Sequence, residues 1–207
     1  MTSREREKQV RPIRIPLLKG LLGHRVFIIK EKDQVHYSQK TTLSQLKQRV
    51  AGQGHDWPDT SILQANGFTV KTAVEYRSLF HMLEEGRFDF FPRGVNEVWE
   101  EIQLMQPRTE KLIIEQHLML YYPAPIYFFV NKKNTKLATR IKTGLMLAHA
   151  DGDFDKLINE KAMKKVLLKS LNFHQRRVFK LNNPLLPIET PLSNSAFWYT
   201  QHTRESQ

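Results

Sequence analysis

Short apolar runs alternate with helix-forming runs along most of this chain, and that alternation restricts its fold more than any other feature. Residues 25–30 form a β-branched and aromatic run that predicts a buried strand. Further strands are predicted at residues 68–70, 87–91, 112–122 and 126–130. Strands that alternate with helices at such short intervals predict an α/β fold with largely parallel sheets.

The intervening segments carry helix start and stop signals. Thr42 and Gln45 form a capping box, and Pro58 suits the first turn of the next helix. Gly67 and Gly86 are expected to end helices. The predicted helices lie at residues 43–50, 58–65, 74–85, 95–102, 134–149 and 154–168.

Ligands of α/β sheets sit beyond the carboxyl ends of strands, next to helix N-termini. Two places meet that description here, a predicted loop at residues 52–59 and a predicted turn at residues 91–94. The loop begins Gly52-Gln53-Gly54, but Trp57 stands where the dinucleotide fingerprint needs its third glycine. We therefore expect a tight turn whose free N–H groups, at the positive end of a helix dipole, suit a carboxylate or another anion.

Two side chains at these places admit two interpretations each. Arg93 follows a predicted strand and precedes Gly94, so its guanidinium could bind a carboxylate through two hydrogen bonds. It could equally form a structural salt bridge with an acid such as Glu97. Trp57 could form an apolar wall for a ligand or belong to the core.

No motif for catalysis or for a metal emerges. The chain has no cysteine, and its eight histidines are scattered. Aspartates occupy alternate positions in residues 151–155, as they do in a calcium-binding loop. Lys156 and Ala162, however, stand where such a loop requires a glycine and a glutamate. No nucleophile elbow is present, so we expect no enzymatic activity, no metal and no cofactor.

The net charge of +11 raises the question of nucleic-acid binding. Residues 51–130 hold 11 acidic and 6 basic side chains, and the excess of basic residues lies on either side of them. A nucleic-acid-binding domain usually gathers its basic residues into one stripe with a recognition motif, so that function is disfavoured. The polar ends, residues 1–10 and 200–207, are expected to be tails. No signal peptide is visible, so the chain as written would be cytoplasmic.

Four segments resemble the extracellular solute-binding proteins of family 3, the type 2 periplasmic binding proteins of amino-acid ABC transporters. Residues 54–68 resemble the opening of lobe two in those proteins, and residues 79–94 resemble a stretch of one bacterial subgroup. Residues 122–130 are similar to the segment that returns to lobe one, and residues 183–187 with Trp198 also fit. The resemblance covers roughly residues 12–199.

The resemblance implies two α/β lobes that close over a small polar solute and deliver it to ABC transporter membrane subunits, without enzymatic activity. It places the solute site of lobe two at the loop and the turn described above, with these ligand-binding residues: Gly54, His55, Asp56, Trp57, Arg93, Gly94 and Glu97. Amino-acid binders of this class commonly carry an aspartate near the second place. Here Arg93-Gly94 stands there, which makes an organic anion an alternative to an amino acid.

The resemblance also implies a domain arrangement that is truncated at the N-terminus. Residues 11–40 correspond to residual lobe one and the crossover, residues 41–122 to a complete lobe two, and residues 123–199 to the return to lobe one with C-terminal helices. The family is periplasmic. Three functions stay open: solute binding, an oligomeric or signalling remnant that self-associates through an exposed edge of lobe one, and nucleic-acid binding as the least favoured.

Overall fold

The computed structural model describes residues 1–105, 112–162 and 171–199. The helices are α1 (Arg4–Gln9), α2 (Leu43–Lys47), α3 (Pro58–Ala65), α4 (Tyr76–Glu84), α5 (Val98–Met105), α6 (Thr135–Ala150) and α7 (Asp153–Leu157). The strands are β1 (Arg11–Ile13), β2 (His24–Lys30), β3 (Val50–Gly54), β4 (Thr69–Ala73), β5 (Phe91–Gly94), β6 (Leu112–Ile114), β7 (Leu118–Tyr121), β8 (Phe128–Val130) and β9 (Arg177–Lys180).

The buried strand β2 organises the main sheet. It pairs antiparallel with β5 on one side and with β6 and β7 on the other. Parallel pairing joins β7 to β9 and β3 to β4. A single parallel bridge from Ala51 to Phe90 links the β3–β4 pair to the start of β5. The predicted α/β class is confirmed, but the prediction of largely parallel sheets is wrong, because the long strand β2 runs opposite to every strand it contacts.

Two crossing segments, residues 14–23 and 122–127, connect the main sheet to a separate antiparallel pair formed by β1 and β8. They meet where the N–H of Tyr122 donates to the carbonyl of Gly23 over 3.1 Å. Two large clusters of apolar side chains form the core around the main sheet. A third, smaller cluster lies between the β1–β8 pair and α6, with Ile13, Val130 and Phe197 among its members.

Several predicted local signals are confirmed. The hydroxyl of Thr42 accepts from the N–H of Gln45, whose side chain accepts from the N–H of Thr42 in return. Pro58 occupies the first turn of α3. Gly67 and Gly86 adopt φ angles of 82° and 71° just after α3 and α4, in the left-handed region that favours glycine.

The loop predicted at residues 52–59 is for its first half a strand, because β3 continues to Gly54. Glycine is a poor strand former, but close packing requires it here. A Cβ on Gly52 would lie 2.2 Å from the ring of Phe88, and one on Gly54 would lie 2.4 Å from the indole of Trp57. The true loop is therefore confined to residues 55–57.

The strand predicted at residues 87–91 is also displaced, because β5 begins at Phe91 and continues through Pro92 to Gly94. Pro92 has no N–H to contribute to the ladder, but it pairs with Phe27, and its carbonyl accepts from the side chain of Gln53 over 3.2 Å. Arg93 consequently lies within a buried strand, where the sequence predicted a turn.

The single strand predicted at residues 112–122 is two strands. Between β6 and β7, the buried carboxylate of Glu115 accepts hydrogen bonds from the N–H groups of His117 and Leu118, each over 2.7 Å. These bonds hold the backbone in a turn that the apolar pattern does not reveal. Glu115 also pairs with Arg176, and both side chains are almost fully buried.

The ends of the chain differ from the prediction as well. The tail predicted at residues 1–10 contains α1, whose N-cap is Ser3. The helix predicted at residues 154–168 is represented by α7 and a π-helical turn at Ile158–Ala162, and its remainder lies outside the described residues. The tail predicted at residues 200–207 lies outside them too.

A buried histidine begins β2 and should make stability depend on pH. Burial of His24 among the rings of Tyr121, Phe173 and Tyr199 lowers its pKa from 6.5 to about 4. At pH values between these two, the unfolded chain binds a proton that the folded chain does not. The contribution of uncharged His24 to the free energy of unfolding is therefore fully present above pH 6.5 and decreases as the pH falls towards 4. The difference of 2.5 pKa units corresponds to about 3 kcal/mol.

We expect the free energy of unfolding to decrease less from pH 7 to pH 4 in the His24→Phe variant than in the wild type. Urea unfolding at the two pH values should show a difference of about 3 kcal/mol between the two decreases. His55→Gln serves as the control, because the side chain of His55 is exposed. An identical pH profile for His24→Phe and the wild type would contradict the assignment.

Candidate functional site

Strands β2 and β5, helices α3 and α5 and the residue just before α5 bring five charged side chains together. We call them the charged cluster: Arg25, Asp59, Arg93, Glu97 and Glu101. Two are arginines and three are carboxylates, so the cluster has a formal charge of −1. Its position matches the two places that the sequence singled out.

Arg93 is buried and already holds carboxylates. Its guanidinium makes a two-pronged interaction with Glu101, in which Nε donates to Oε2 over 2.6 Å and Nη2 donates to Oε1. The same Nη2 lies 3.3 Å from Oε2 of Glu97. Burial opposes the charge of Arg93, but the hydrogen bonds and charge of Glu101 raise its pKa above the ordinary value. Of the two interpretations of Arg93, the geometry shows the structural salt bridge, with Glu101 as the main partner and Glu97 as the second.

Arg25 forms the second half of the cluster, on β2. Its Nη2 lies 2.8 Å from Oδ1 of Asp59, and its Nη1 lies 3.6 Å from Oε2 of Glu97. The hydroxyl of Tyr122 also donates to Asp59. Burial opposes the charge of Arg25, yet Asp59, Tyr122 and Glu97 raise its pKa above the ordinary value. Both Tyr122 and Arg25 are therefore fixed around the first turn of α3.

Glu97 joins the two arginines and is the most accessible member of the charged cluster. Its side chain is 34% exposed, whereas those of Arg25 and Arg93 are 3% and 10% exposed. Gly94 permits this position, because a Cβ there would lie 3.0 Å from Oε2 of Glu97. The surface that faces solvent is thus a carboxylate, and the arginines lie behind it.

An aromatic group borders the cluster. The guanidinium carbon of Arg93 lies 4.5 Å from the ring centre of Trp57, within cation–π distance, and 5.2 Å from that of Phe91. The indole of Trp57 also lies 6.1 Å from the ring of Tyr76. Trp57 is half-buried and packs against the first core cluster, as the second of its two interpretations expected.

Two N–H groups of the loop before α3, where the sequence suggested free N–H groups, are already bonded. The N–H of His55 donates to Ala73, and that of Trp57 donates to Gly54, over 2.9 and 3.1 Å. The first helical residue is Pro58, which has no N–H, and Asp59 already places a carboxylate in the first turn. The carboxylate of Asp59 therefore opposes the binding of an anion at this helix end.

The structure brings together Trp57, Arg93, Gly94 and Glu97, with Gly54 beneath the indole. His55 and Asp56 lie outside this group on the exposed loop, and the Asp56 side chain is 90% exposed. The sequence did not identify Arg25, Asp59, Tyr76, Glu101 and Tyr122. The available signal for Arg25 was a charge inside a run predicted to be a buried strand. The adjacent carboxylates Glu100 and Glu101 are interpreted from the sequence as a solvated face, which is wrong for Glu101, because its side chain is 16% exposed and pairs with Arg93.

Two further classes of site were considered over residues 1–105, 112–162 and 171–199. No group of three or more His, Asp or Glu side chains in these ranges has an arrangement that could hold a metal ion. Within the same residues, no helix is both long enough and apolar enough to cross a membrane.

Neither a protein-family model nor a curated protein sequence matches the chain. Solved structures do. An ancestral arginine-binding protein bound to arginine matches with a TM-score of 0.53 and 21% identity, over 78% of this chain and 67% of that one. A periplasmic binding protein of Salmonella typhimurium with high arginine specificity matches with a TM-score of 0.54 and 20% identity, over 78% and 68%.

A binding component of an ABC transporter from Wolinella succinogenes, complexed with lysine, matches with a TM-score of 0.55 and 13% identity. That match covers 81% of this chain and 69% of the other. This chain spans about two thirds of the length of the three matched proteins. It therefore shares the α/β fold of the type 2 periplasmic binding proteins.

Proposed function

We propose that this chain binds a small solute that carries an ammonium or guanidinium group, such as a basic amino acid, and performs no chemistry on it. The observation that carries the proposal is the accessibility of the charges in the charged cluster, where a carboxylate is exposed and both arginines are buried. The carboxylate of Glu97 faces solvent, while Arg25 and Arg93 are buried behind it and already paired. A cationic group gains a carboxylate partner there.

An organic anion, the alternative that the sequence left open, is disfavoured by the same contacts. To bind Arg93, an anionic solute would have to displace Glu101 from its two-pronged interaction and leave that carboxylate without its partner. The N-terminus of α3 is no substitute, because Asp59 occupies its first turn. The solute would lie beside Trp57 and the exposed loop residues His55 and Asp56.

The matched structures support this proposal. Two of them are arginine-binding proteins, and the third, described as a binding component of an ABC transporter, is complexed with lysine. We extend the proposal to the transport context: the bound solute is passed to the membrane subunits of an ABC-type importer, and the chain acts outside the cytoplasmic membrane.

A panel of solutes in a thermal melt tests the proposal. We expect arginine or lysine to raise the melting temperature, because a ligand of the native state stabilises it by about 2.7 kcal/mol at 100 times its Kd. For a chain of this size that corresponds to about 5–10 °C. Citrate and glutarate are the matched anionic solutes, and a shift with them alone would contradict the choice of a cationic solute.

A second candidate, a self-associating module without a solute, is favoured by one specific feature. Within the described residues, β1 and β8 pair only with each other. Apolar side chains beside them are exposed, with Phe128 48%, Leu137 41% and Leu147 62% accessible. A melt that no solute moves, together with a solution mass above that of one chain, would favour this candidate.

A further inference from the structure

Each arginine of the charged cluster has a carboxylate of its own. Arg93 makes its two-pronged interaction with Glu101, in which Nε lies 2.6 Å from Oε2. Arg25 lies 2.8 Å from Oδ1 of Asp59. Both pairs are electrically neutral, so the formal charge of −1 of the charged cluster belongs to its fifth member, Glu97.

Glu97 is held less tightly than the other two carboxylates of the charged cluster. Its Oε2 lies 3.3 Å from Nη2 of Arg93 and 3.6 Å from Nη1 of Arg25, and both distances are longer than those within the two neutral pairs. Its side chain is 34% exposed, against 16% for Glu101 and 9% for Asp59. Glu97 can therefore turn towards a solute while both arginines keep a partner.

The partner of Arg93 decides whether Glu97 stays available. One atom of Arg93, Nη2, lies within ion-pair distance of both Glu101 and Glu97, so the two carboxylates share a donor. Without the charge of Glu101, the guanidinium of Arg93 would keep Glu97 as its ion-pair partner. A buried charge without a partner is strongly unfavourable, and the side chain of Arg93 is only 10% exposed. Arg93 would consequently hold Glu97 and withdraw it from the solute.

We propose that Glu101 is a positioning residue that sets the sign of the charge accepted by the site. It neutralises Arg93 and so leaves the carboxylate of Glu97 to a cationic solute. The inference rests on the proposed function, because it assigns the charge selectivity of the same site. Loss of the Glu101 charge makes the charged cluster neutral, and loss of both the Glu97 and the Glu101 charge makes it positive, with Arg93 unpaired.

Titration of the purified variants with glutarate tests the sign of the charge. We expect the double variant Glu97→Gln with Glu101→Gln to bind glutarate at least about tenfold more tightly than the wild type, because a freed guanidinium binds a carboxylate through two hydrogen bonds. Glu97→Gln with Glu100→Gln is the matched control, since it makes the same change in net charge at an exposed residue of α5 and keeps Glu101. Equal affinity of the two double variants for glutarate would overturn the inference.

Titration calorimetry with arginine separates this inference from the proposed function. We expect Glu101→Gln to bind arginine at least about tenfold more weakly than the wild type. Arg93→Gln with Glu101→Gln removes the competing guanidinium together with its partner and should recover most of the affinity, which a merely structural role of Glu101 does not predict. Binding by Glu101→Gln equal to that of the wild type, or no recovery in the double variant, would overturn the inference and leave the proposed function intact. Absence of arginine binding in the wild type and in both variants would refute both.

Discussion

We expect the Glu115→Gln variant to lose about 3–5 kcal/mol of its free energy of unfolding, because it leaves the guanidinium of Arg176 buried without a counter-charge. The Glu115 carboxylate has no accessible surface and lies 3.2 Å from Nη1 of Arg176. It also accepts from the N–H groups of His117 and Leu118, which glutamine can satisfy only in part. Burial already lowers the pKa of Arg176 to about 10 with Glu115 in place. Urea unfolding at pH 7 measures the loss.

Two controls define this expectation. Glu85→Gln removes a carboxylate that pairs with Arg87 at the surface, where both side chains are more than half exposed, and should change stability by less than about 0.5 kcal/mol. Replacing both buried partners, as Glu115→Leu with Arg176→Met, should recover most of the loss, because no unpaired charge remains. A Glu115→Gln variant as stable as Glu85→Gln would show that the pair does not hold the β6–β7 turn.

The second large effect is expected at the contact of the two crossing segments. In Gly23→Ala, the new Cβ would lie 2.1 Å from the carbonyl oxygen of Tyr122 and 3.3 Å from the backbone nitrogen of Ala124. Both groups belong to the backbone and cannot rotate away, so the crossing must open. We expect a loss of about 3 kcal/mol, at the upper end of the range for overpacked sites.

Gly144→Ala is the matched control, since it adds the same methyl group to the interior of α6, where nothing lies within 4 Å. Alanine is the better helix former, so this variant should gain up to about 1 kcal/mol. The two substitutions thus have opposite expected signs in the same urea-unfolding measurement. Equal stability of the two variants would contradict the close approach at Gly23.

Local signals in the sequence predicted several helix ends, although α5 lies at Val98–Met105 where residues 95–102 were predicted, and α2 ends at Lys47 before the strand residue Val50. The capping box at Thr42, the proline at the start of α3 and the glycine after α4 each act within one turn, so the sequence alone is enough to read them. The strands were predicted less well where a distant side chain decides the backbone. Glycines 52 and 54 indicated a loop, but the rings of Phe88 and Trp57 make them strand residues.

The local apolar pattern also could not predict whether neighbouring strands run parallel or antiparallel. An apolar run such as β2 reads the same whether its neighbours are parallel or antiparallel, and only the tertiary arrangement places β5, β6 and β7 opposite to it. For the same reason the apolar pattern joined β6 and β7 into one strand. The carboxylate of Glu115, which separates them, accepts from the N–H groups of His117 and Leu118 and also pairs with Arg176, 61 residues away.

The sequence predicted that several of the candidate residues lie close together but not how their charges are paired. The sequence placed Trp57, Arg93, Gly94 and Glu97 near one another, and the structure brings them together. It could not show that Arg93 is paired with Glu101, eight residues further along the chain. Arg93 lies in β5 and Glu101 lies in α5, which begins four residues after β5 ends, so the pairing depends on how the helix packs against the strand. The alternative of an anionic solute depended on a free guanidinium at Arg93, and that guanidinium is paired with Glu101.

Titration of the protein with arginine, in the wild type and in Glu97→Gln, tests the central claim most directly. The account predicts that the wild type binds and that Glu97→Gln binds at least about tenfold more weakly, since a charge-assisted hydrogen bond contributes about 1.5–3 kcal/mol. Glu100→Gln, the same change at an exposed residue of α5, should bind as the wild type does. Equal affinity of Glu97→Gln and Glu100→Gln for arginine would contradict the claim that Glu97 receives the solute.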